Sequence, residues 1–215
     1  MTYNTLTDIN AALASLAQGS EESYKALLDC FIDEKAQKQL EPHIHYIIEK
    51  LTDAAQAGNI FSRSFLSCLY LYGYGVEQNS QKALDLARLS ASRGEHHAEA
   101  LLGIMYLYGC GVVQDPGRAH YWFTMADEKN NTIAPSYIGH IIENGLLKKS
   151  DPKQAFQYYK KSADLKNSFG IYNVGRCYEH GIGVKINIPE AIRLYQLAAD
   201  QNSSLAQEAL RKLKK

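Results

Sequence analysis

The sequence has no excess of charge of either sign and no long hydrophobic run. Its 215 residues include 23 Lys and Arg and 23 Asp and Glu, so the formal net charge is zero. A neutral chain has no long-range field that would attract nucleic acid or an anionic membrane. No apolar stretch approaches the roughly 20 residues that a membrane-spanning helix needs. Residues 1–24 are polar and amphipathic, unlike a secretory signal. We therefore expect a cytoplasmic protein with neither nucleic acid nor membrane as a partner.

Cysteine is also scarce, and its spacing excludes the common cysteine motifs. The chain has four cysteines and no CxxC pair. This usage predicts buried thiols in a reducing compartment in preference to a disulfide framework. The four residues are Cys30, Cys68, Cys110 and Cys177.

Motifs that carry chemistry are absent as well. No Walker loop, no G-x-S-x-G elbow and no zincin helix occurs. His43-Ile44-His45 and His96-His97 are the local histidine clusters, and we interpret them as loop or exposed residues without the convergent ligands of a metal site. We therefore expect no catalytic residue, no cofactor and no metal.

What the sequence does contain is a strict internal period of 36 residues. Glycine and alanine each recur four times at this interval, in the same register. Such a period is typical of a repeat array, in which each unit buries its apolar face against its neighbours. The glycines are Gly73, Gly109, Gly145 and Gly181, and the alanines are Ala83, Ala119, Ala155 and Ala191.

Each repeat reads as two helices, A and B, separated by a glycine-marked loop. Small or aliphatic residues four positions apart define a buried face on helix A. Asp115-Pro116 and Asp151-Pro152 predict an N-cap and first position for helix B. The third repeat has Leu147 where the others have a second loop glycine, which predicts a different turn. The buried face of helix A comprises Ser62, Leu66 and Tyr70 with their counterparts, and a second small residue beside it is Ser67, Gly103, Gly139 or Gly175.

The pattern predicts an all-α fold, an α/α superhelical solenoid of about five helical hairpins with a capping helix at its C-terminal end. Residues 1–59 form a degenerate N-terminal capping repeat, with helix A near Glu21–Phe31. Residues 60–202 hold four repeats, and residues 203–215 form the capping helix.

At this point the residues resemble a known family. The segments LGIMYLYGCGVVQDPGRAHYWFTMA (102–126) and VGRCYEHGIGVKINIPEAIRLYQLAA (174–199) are similar to the Sel1-like repeat, a relative of the tetratricopeptide repeat. The resemblance covers roughly 60–215. It implies an α/α solenoid, most often bacterial, that serves as a platform for protein partners. It also implies that the matched positions are structural, so no functional residue is carried over.

Positions on helix A beside the buried face are the candidate partner-binding residues. In the first two repeats they are apolar and aromatic, and in the last two they are polar and basic. A concave surface graded in this way suits an extended peptide or a helix, and the polar end suits a carboxylate, with Arg176 as its strongest donor. Alternatively, these side chains contact neighbouring helices or water. The candidates are Phe61, Phe65, Tyr72, Leu101, Tyr108, Tyr137, His140, Asn144, Asn173, Arg176 and His180.

The sequence favours a non-enzymatic module that binds a protein or peptide segment, as an adaptor, a regulator or an effector-associated chaperone or immunity protein. On this hypothesis Arg176→Glu abolishes partner binding without unfolding the chain. One alternative is a secreted β-lactam or cell-wall hydrolase like the cysteine-rich branch of the family, which carries two cysteines in each repeat. The other is a structural scaffold that self-associates through the aromatic end.

Overall fold

The computed structural model describes residues 6–32, 36, 38 and 40–213, and over these residues it contains helices and no strand. The predicted all-α fold of helical hairpins is therefore confirmed. Parts of the predicted first repeat (residues 1–5, 33–35, 37 and 39) and the last two residues of the predicted cap lie outside the described residues. The helices are α1 (Leu6–Ala17), α2 (Glu21–Ile32), α3 (Ile44–Gln56), α4 (Ile60–Tyr72), α5 (Ser80–Ala91), α6 (His96–Tyr108), α7 (Pro116–Glu128), α8 (Ala134–Glu143), α9 (Pro152–Asp164), α10 (Ser168–His180), α11 (Ile188–Ala199) and α12 (Ser204–Leu213), and a 3-10 turn over Glu41–His43 precedes α3.

The chain divides into two compact units, Met1–Gln114 and Asp115–Lys215. Unit 1 holds α1 to α6, and its helices pack in sequence order from α3 onward, with α4 also touching α6. Its core includes Leu27, Phe31 and Phe65. Unit 2 holds α7 to α12, again packed in sequence order, with α8 also touching α10. Its core is centred on Tyr159 and Tyr195.

The residues that define the period lie where the pattern predicts them. All four alanines of helix B are fully buried, and the aliphatic residues Leu66, Leu102, Ile138 and Val174 of the helix A face are buried. One turn further along that face, Tyr70, Ile142 and Tyr178 are only partly buried. At Gly139 and Gly175 a Cβ atom would lie 2.9 Å from the rings of Tyr159 and Tyr195 respectively. The absence of a side chain is therefore what lets the two helices approach in these two hairpins.

Large side chains of helix B divide between core and surface more sharply than the pattern predicts. Phe123, Tyr159 and Tyr195 are buried, as expected. Trp122 and Tyr158, one position earlier in their helices, are only partly buried. Adjacent helical residues face about 100° apart, so the earlier position lies at the edge of the core in these two repeats, although its counterpart Leu194 is buried.

Polar N-caps recur with the same period of 36 residues. Helix B begins after a side chain that accepts a hydrogen bond from the backbone N–H three residues on; these caps are Asn79, Asp115, Asp151 and Asn187. A second series of capping residues lies near the start of each helix A. Their side chains accept hydrogen bonds from backbone N–H groups two or three residues further along the chain, and the residues are Asn59, Glu95, Asn131 and Asn167. Each cap satisfies an N–H group that the helix leaves unpaired.

The turn after α8 differs from its counterparts, as Leu147 predicts. Gly75, Gly111 and Gly183 all adopt positive φ, whereas Leu147 does not. Gly145 keeps its left-handed conformation with φ of 62°, and Leu146 N–H still bonds to the Ile141 carbonyl oxygen at 3.0 Å. α8 nevertheless ends one residue earlier than its counterparts, at Glu143 with Asn144 as its C-cap, so the end of the helix changes together with the turn that follows it.

Candidate functional site

The candidate residues of unit 1 lie along α4 and α6, two helices in contact. Phe65 and Leu101 are buried between helices, so they support the surface without forming it. Phe61 is half-buried and its ring packs against Gly19. Only Tyr72 and Tyr108 are strongly exposed, at 44% and 56%.

We name Tyr72, Tyr74 and Tyr108 the aromatic patch. Tyr72 and Tyr108 are the last residues of α4 and α6 and occupy equivalent positions in successive repeats. The rings of Tyr72 and Tyr74 stack with their centroids 5.5 Å apart. Both helices end in the left-handed glycines Gly73 and Gly109, which fix where each tyrosine is held.

Two of the candidate residues of unit 2, Asn173 and Arg176, belong to a hydrogen-bonded cluster around Glu143, at the end of α8. Arg176 of α10 donates from both terminal nitrogens to the two carboxylate oxygens of Glu143, one of them at 2.8 Å. The Tyr159 hydroxyl donates to the same carboxylate at 2.6 Å. Arg176 Nε lies 3.4 Å from Asn173 Oδ1. We name Glu143, Tyr159, Asn173 and Arg176 the polar cluster.

The polar cluster changes the interpretation of Arg176. Its guanidinium already holds a carboxylate of its own chain, a partner that the sequence analysis missed, and Asn173 is buried. Arg176→Glu would set two carboxylates against each other across α8 and α10. The prediction that this substitution leaves the fold intact therefore conflicts with the contacts, and it is not a clean probe of binding.

Ionisation in the polar cluster follows from burial and from these bonds. Burial alone would raise the pKa of Glu143, but the bonds from Arg176 and Tyr159 and the positive charge of Arg176 lower it overall. Burial, followed by the bond to Glu143, raises the pKa of Tyr159. Glu143 is therefore ionised and Tyr159 neutral at neutral pH.

The other candidates of unit 2 make separate contacts. Burial lowers the pKa of His140, and the charge of Arg176 adds to that effect. Asn144 is exposed and donates to the His140 carbonyl oxygen at 2.8 Å. His180 is exposed, with Nε2 3.7 Å from the Glu179 carboxylate. The ring of Tyr137 stacks on the ring of Phe123 with the two centroids 4.8 Å apart, so it packs against another side chain of unit 2.

The buried thiols of Cys68 and Cys177 are protonated at neutral pH. Burial raises the pKa of Cys68 to about 12. Burial also raises the pKa of Cys177 to about 12, although the nearby positive charge of Arg176 lowers it in part. All four cysteines are free. A thiol is a poor nucleophile when it is held protonated, so neither residue is suited to covalent catalysis.

Glu95 brings a carboxylate to the histidine pair that the sequence analysis set aside. One ligand atom from each of Glu95, His96 and His97 lies within 4.8 Å of the others. His96 and His97 themselves lie in the first turn of α6 and are half-buried, so the prediction that they are loop or exposed residues was wrong.

Four segments of the chain match the model of the Sel1 repeat: residues 62–95, 96–131, 136–167 and 168–203. The chain belongs to the Sel1 repeat family. Sel1 repeats are generally protein-binding scaffolds, and the matched segments each span one helix A and one helix B. No curated protein matches the chain.

Solved structures of other Sel1 proteins share this fold. One is c5321 of uropathogenic Escherichia coli, a protective antigen displaying an SLR fold, at 29% identity and a TM-score of 0.64 over 96% of this chain and 44% of that one. Another is a Sel1 repeat protein of Oxalobacter formigenes, at 28% identity and a TM-score of 0.58. The match covers 78% of this chain and 49% of that one. The cysteine-rich protein B of Helicobacter pylori is 23% identical with a TM-score of 0.50, covering 61% of this chain and 98% of that one. The chain thus spans about half the length of the first two.

The Sel1 match identifies the repeat fold and does not identify any binding residue. Over the described residues no helix is both long enough and apolar enough to cross a membrane.

Proposed function

We propose that this Sel1 protein is a non-enzymatic interaction module that binds a segment of a protein partner through the aromatic patch. The observation that carries the proposal is the exposure of Tyr72 and Tyr108 at equivalent helix ends. Tyrosine supplies a large contact area with little loss of side-chain entropy and is enriched at protein interfaces. Phe65 and Leu101 are buried in the two helices that carry these tyrosines, so α4 and α6 are already packed before a partner binds, which limits the ordering cost of binding.

The polar candidates of unit 2 take part in a different way. His140, Asn144 and His180 offer donors at the surface, whereas Arg176 is engaged by Glu143. A partner carboxylate reaches the guanidinium only in competition with Glu143. We therefore assign the main binding energy to the aromatic patch and a contribution to selectivity to these side chains.

Several observations support a role without catalysis in a reducing compartment. The cysteines are free, and the Cys68 and Cys177 thiols are held protonated. We place the protein among bacterial cytoplasmic adaptors, regulators and effector-associated chaperones or immunity proteins. A nitrocefin assay on the purified chain is expected to show no hydrolysis, and turnover would favour the hydrolase alternative.

Site-specific photo-crosslinking in the native host tests the proposed surface. A benzophenone amino acid replaces Tyr72, Tyr108 or, as a matched control, Tyr121, which is 55% exposed on a helix B. We expect a discrete adduct with another protein from positions 72 and 108 and none from 121. Tyr72→Ser and Tyr108→Ser should reduce capture of that protein, and Tyr121→Ser should not.

Two results would contradict the proposal in different ways. Equal adducts from all three positions would mean that the aromatic patch is not a specific surface. Adducts that contain only a second copy of this chain would establish the self-associating scaffold instead, and light scattering on the purified protein would then report a dimer or larger assembly.

A further inference from the structure

Glu95 departs from the series of N-caps to which it belongs. The other three members of the helix A series are asparagines, Asn59, Asn131 and Asn167, and a neutral side chain caps the helix there. Glu95 does the same task with a carboxylate that is only 2% exposed, accepting from His97 N–H at 3.0 Å and Ala98 N–H at 2.7 Å. Burying a charge is costly, and capping alone does not require one.

The two residues that follow Glu95 supply nitrogen ligands. His96 and His97 open α6, and their ring centroids lie 4.3 Å apart. The His97 ring is stacked on Tyr24 of α2, with centroids 3.7 Å apart and planes 5° from parallel. This stacking fixes the plane of one imidazole, while two backbone amides fix the carboxylate beside it.

We infer that Glu95, His96 and His97 form a site for a divalent transition-metal ion, with Zn²⁺ as the representative ligand. Two imidazole nitrogens and one carboxylate oxygen are a donor set that holds Zn²⁺ and leaves a position for water. The inference is independent of the proposed interaction function, because it concerns other side chains.

The geometry requires only side-chain adjustment. The three ligand atoms lie within 4.8 Å of one another, and Zn²⁺ binds nitrogen and oxygen at about 2.0–2.2 Å. Rotation of the His96 imidazole about its side-chain torsions brings its ligand atom toward the other two, while His97 keeps its stack on Tyr24. The carboxylate keeps its bonds to the amides, since each oxygen has more than one lone pair, and these bonds serve as the outer-shell contacts that orient a ligand.

A bound ion would tie the start of α6 more firmly to α2, because His97 links the metal to Tyr24. Anything that binds the folded state and not the unfolded chain stabilises the fold by mass action. Zn²⁺ is therefore expected to raise the melting temperature of the protein in a concentration-dependent way.

Metal titration of the full chain, first stripped with EDTA and dialysed, tests the site. Calorimetry with Zn²⁺ should report one ion per chain, and Co²⁺ should develop visible absorption bands of a site with nitrogen and oxygen ligands. His96→Ala and Glu95→Asn should each weaken Zn²⁺ binding by more than about tenfold, the loss that follows removal of even an outer-shell partner. Glu95→Asn restores the residue type of the other caps, so its melting temperature in EDTA should match that of the wild type.

The control histidine is His180, which is exposed and lies in unit 2. His180→Ala should leave Zn²⁺ affinity and stoichiometry unchanged. Zn²⁺ affinity that is the same in the wild type, His96→Ala and Glu95→Asn would overturn the site, as would failure of the wild type to bind Zn²⁺. His97→Ala is a poorer probe because it also removes the stack on Tyr24.

Discussion

At the scale of single residues, one backbone conformation recurs at the end of every helix B. Positions 58, 94, 130, 166 and 202 all have positive φ. Glycine or asparagine, which tolerate this conformation, occupies four of them, and Lys166 occupies the fifth with φ of 61°. Lys166 is therefore a point of backbone strain.

Replacing Lys166 should stabilise the protein. We expect Lys166→Gly to raise the free energy of unfolding by about 0.5–1 kcal/mol, because the left-handed conformation costs an L-residue roughly that much or more. Urea unfolding followed by circular dichroism measures the change. Lys160→Gly is the matched control: Lys160 is exposed inside α9, where glycine costs about 1 kcal/mol, so the same substitution should have the opposite sign there. Destabilisation by Lys166→Gly would show that Lys166 makes contacts that outweigh the strain.

The sequence predicts the residues whose packing or turn role repeats every 36 positions, and it predicts few of the side-chain contacts between helices. The buried alanines, the small residues at Gly139 and Gly175 and the terminating glycines follow from spacing, because each has one backbone or packing requirement that repeats. Both N-cap series were also visible at the same interval and were only partly recognised. The pair of Glu143 and Arg176 was not predictable, because 33 residues separate the two and the choice of partner depends on how α8 and α10 pack.

At the scale of the helical element, the ion pair between Glu143 and Arg176 joins α8 to α10. Both side chains are largely buried, with 17% and 24% of their surfaces exposed. The pair is bidentate and shares its carboxylate with Tyr159, a geometry in which charged hydrogen bonds contribute more than a surface pair does. The same surface that suggested a partner-binding carboxylate site thus serves to hold two helix A segments together.

The stability given by Glu143 should depend on pH in a defined direction. Its folded-state pKa is lowered, so the contribution is complete above the ordinary carboxyl pKa of about 4.3 and is lost as pH falls through the folded-state value. We expect Glu143→Gln to destabilise the protein by about 2 kcal/mol at pH 7 and by progressively less in acid. Urea midpoints of the wild type and the variant between pH 7 and pH 3 measure the convergence.

A fully exposed pair provides the comparison for Glu143. Glu208 lies 2.7 Å from Lys212 on α12 with both side chains mostly exposed, so Glu208→Gln should have little effect at any pH. A constant difference between the wild type and Glu143→Gln down to pH 3 would mean that the variant acts through packing and not through charge.

At the scale of the whole molecule, each hairpin is stabilised by its own contacts and those of its neighbours. Contacts run from each helix to the next from α3 onward in unit 1 and throughout unit 2, and each unit has its own hydrophobic core. In such an array stability is approximately a sum over repeats and the interfaces between neighbours. Local damage should therefore remain local instead of spreading evenly along the chain.

Hydrogen exchange of Gly175→Ala tests this locality. The new Cβ would lie 2.9 Å from the Tyr195 ring, and overpacking of this kind costs about 1–2 kcal/mol, equivalent to a factor of roughly 5–30 in the opening equilibrium. We expect amide exchange to accelerate by that factor in α10 and α11 while α4 and α5 keep their wild-type rates. Gly117→Ala, at an exposed helical position in α7, should accelerate neither pair of helices. Equal acceleration of all four helices in Gly175→Ala would mean that the chain opens as one cooperative body, because only then does a clash in one hairpin change the opening equilibrium of every other.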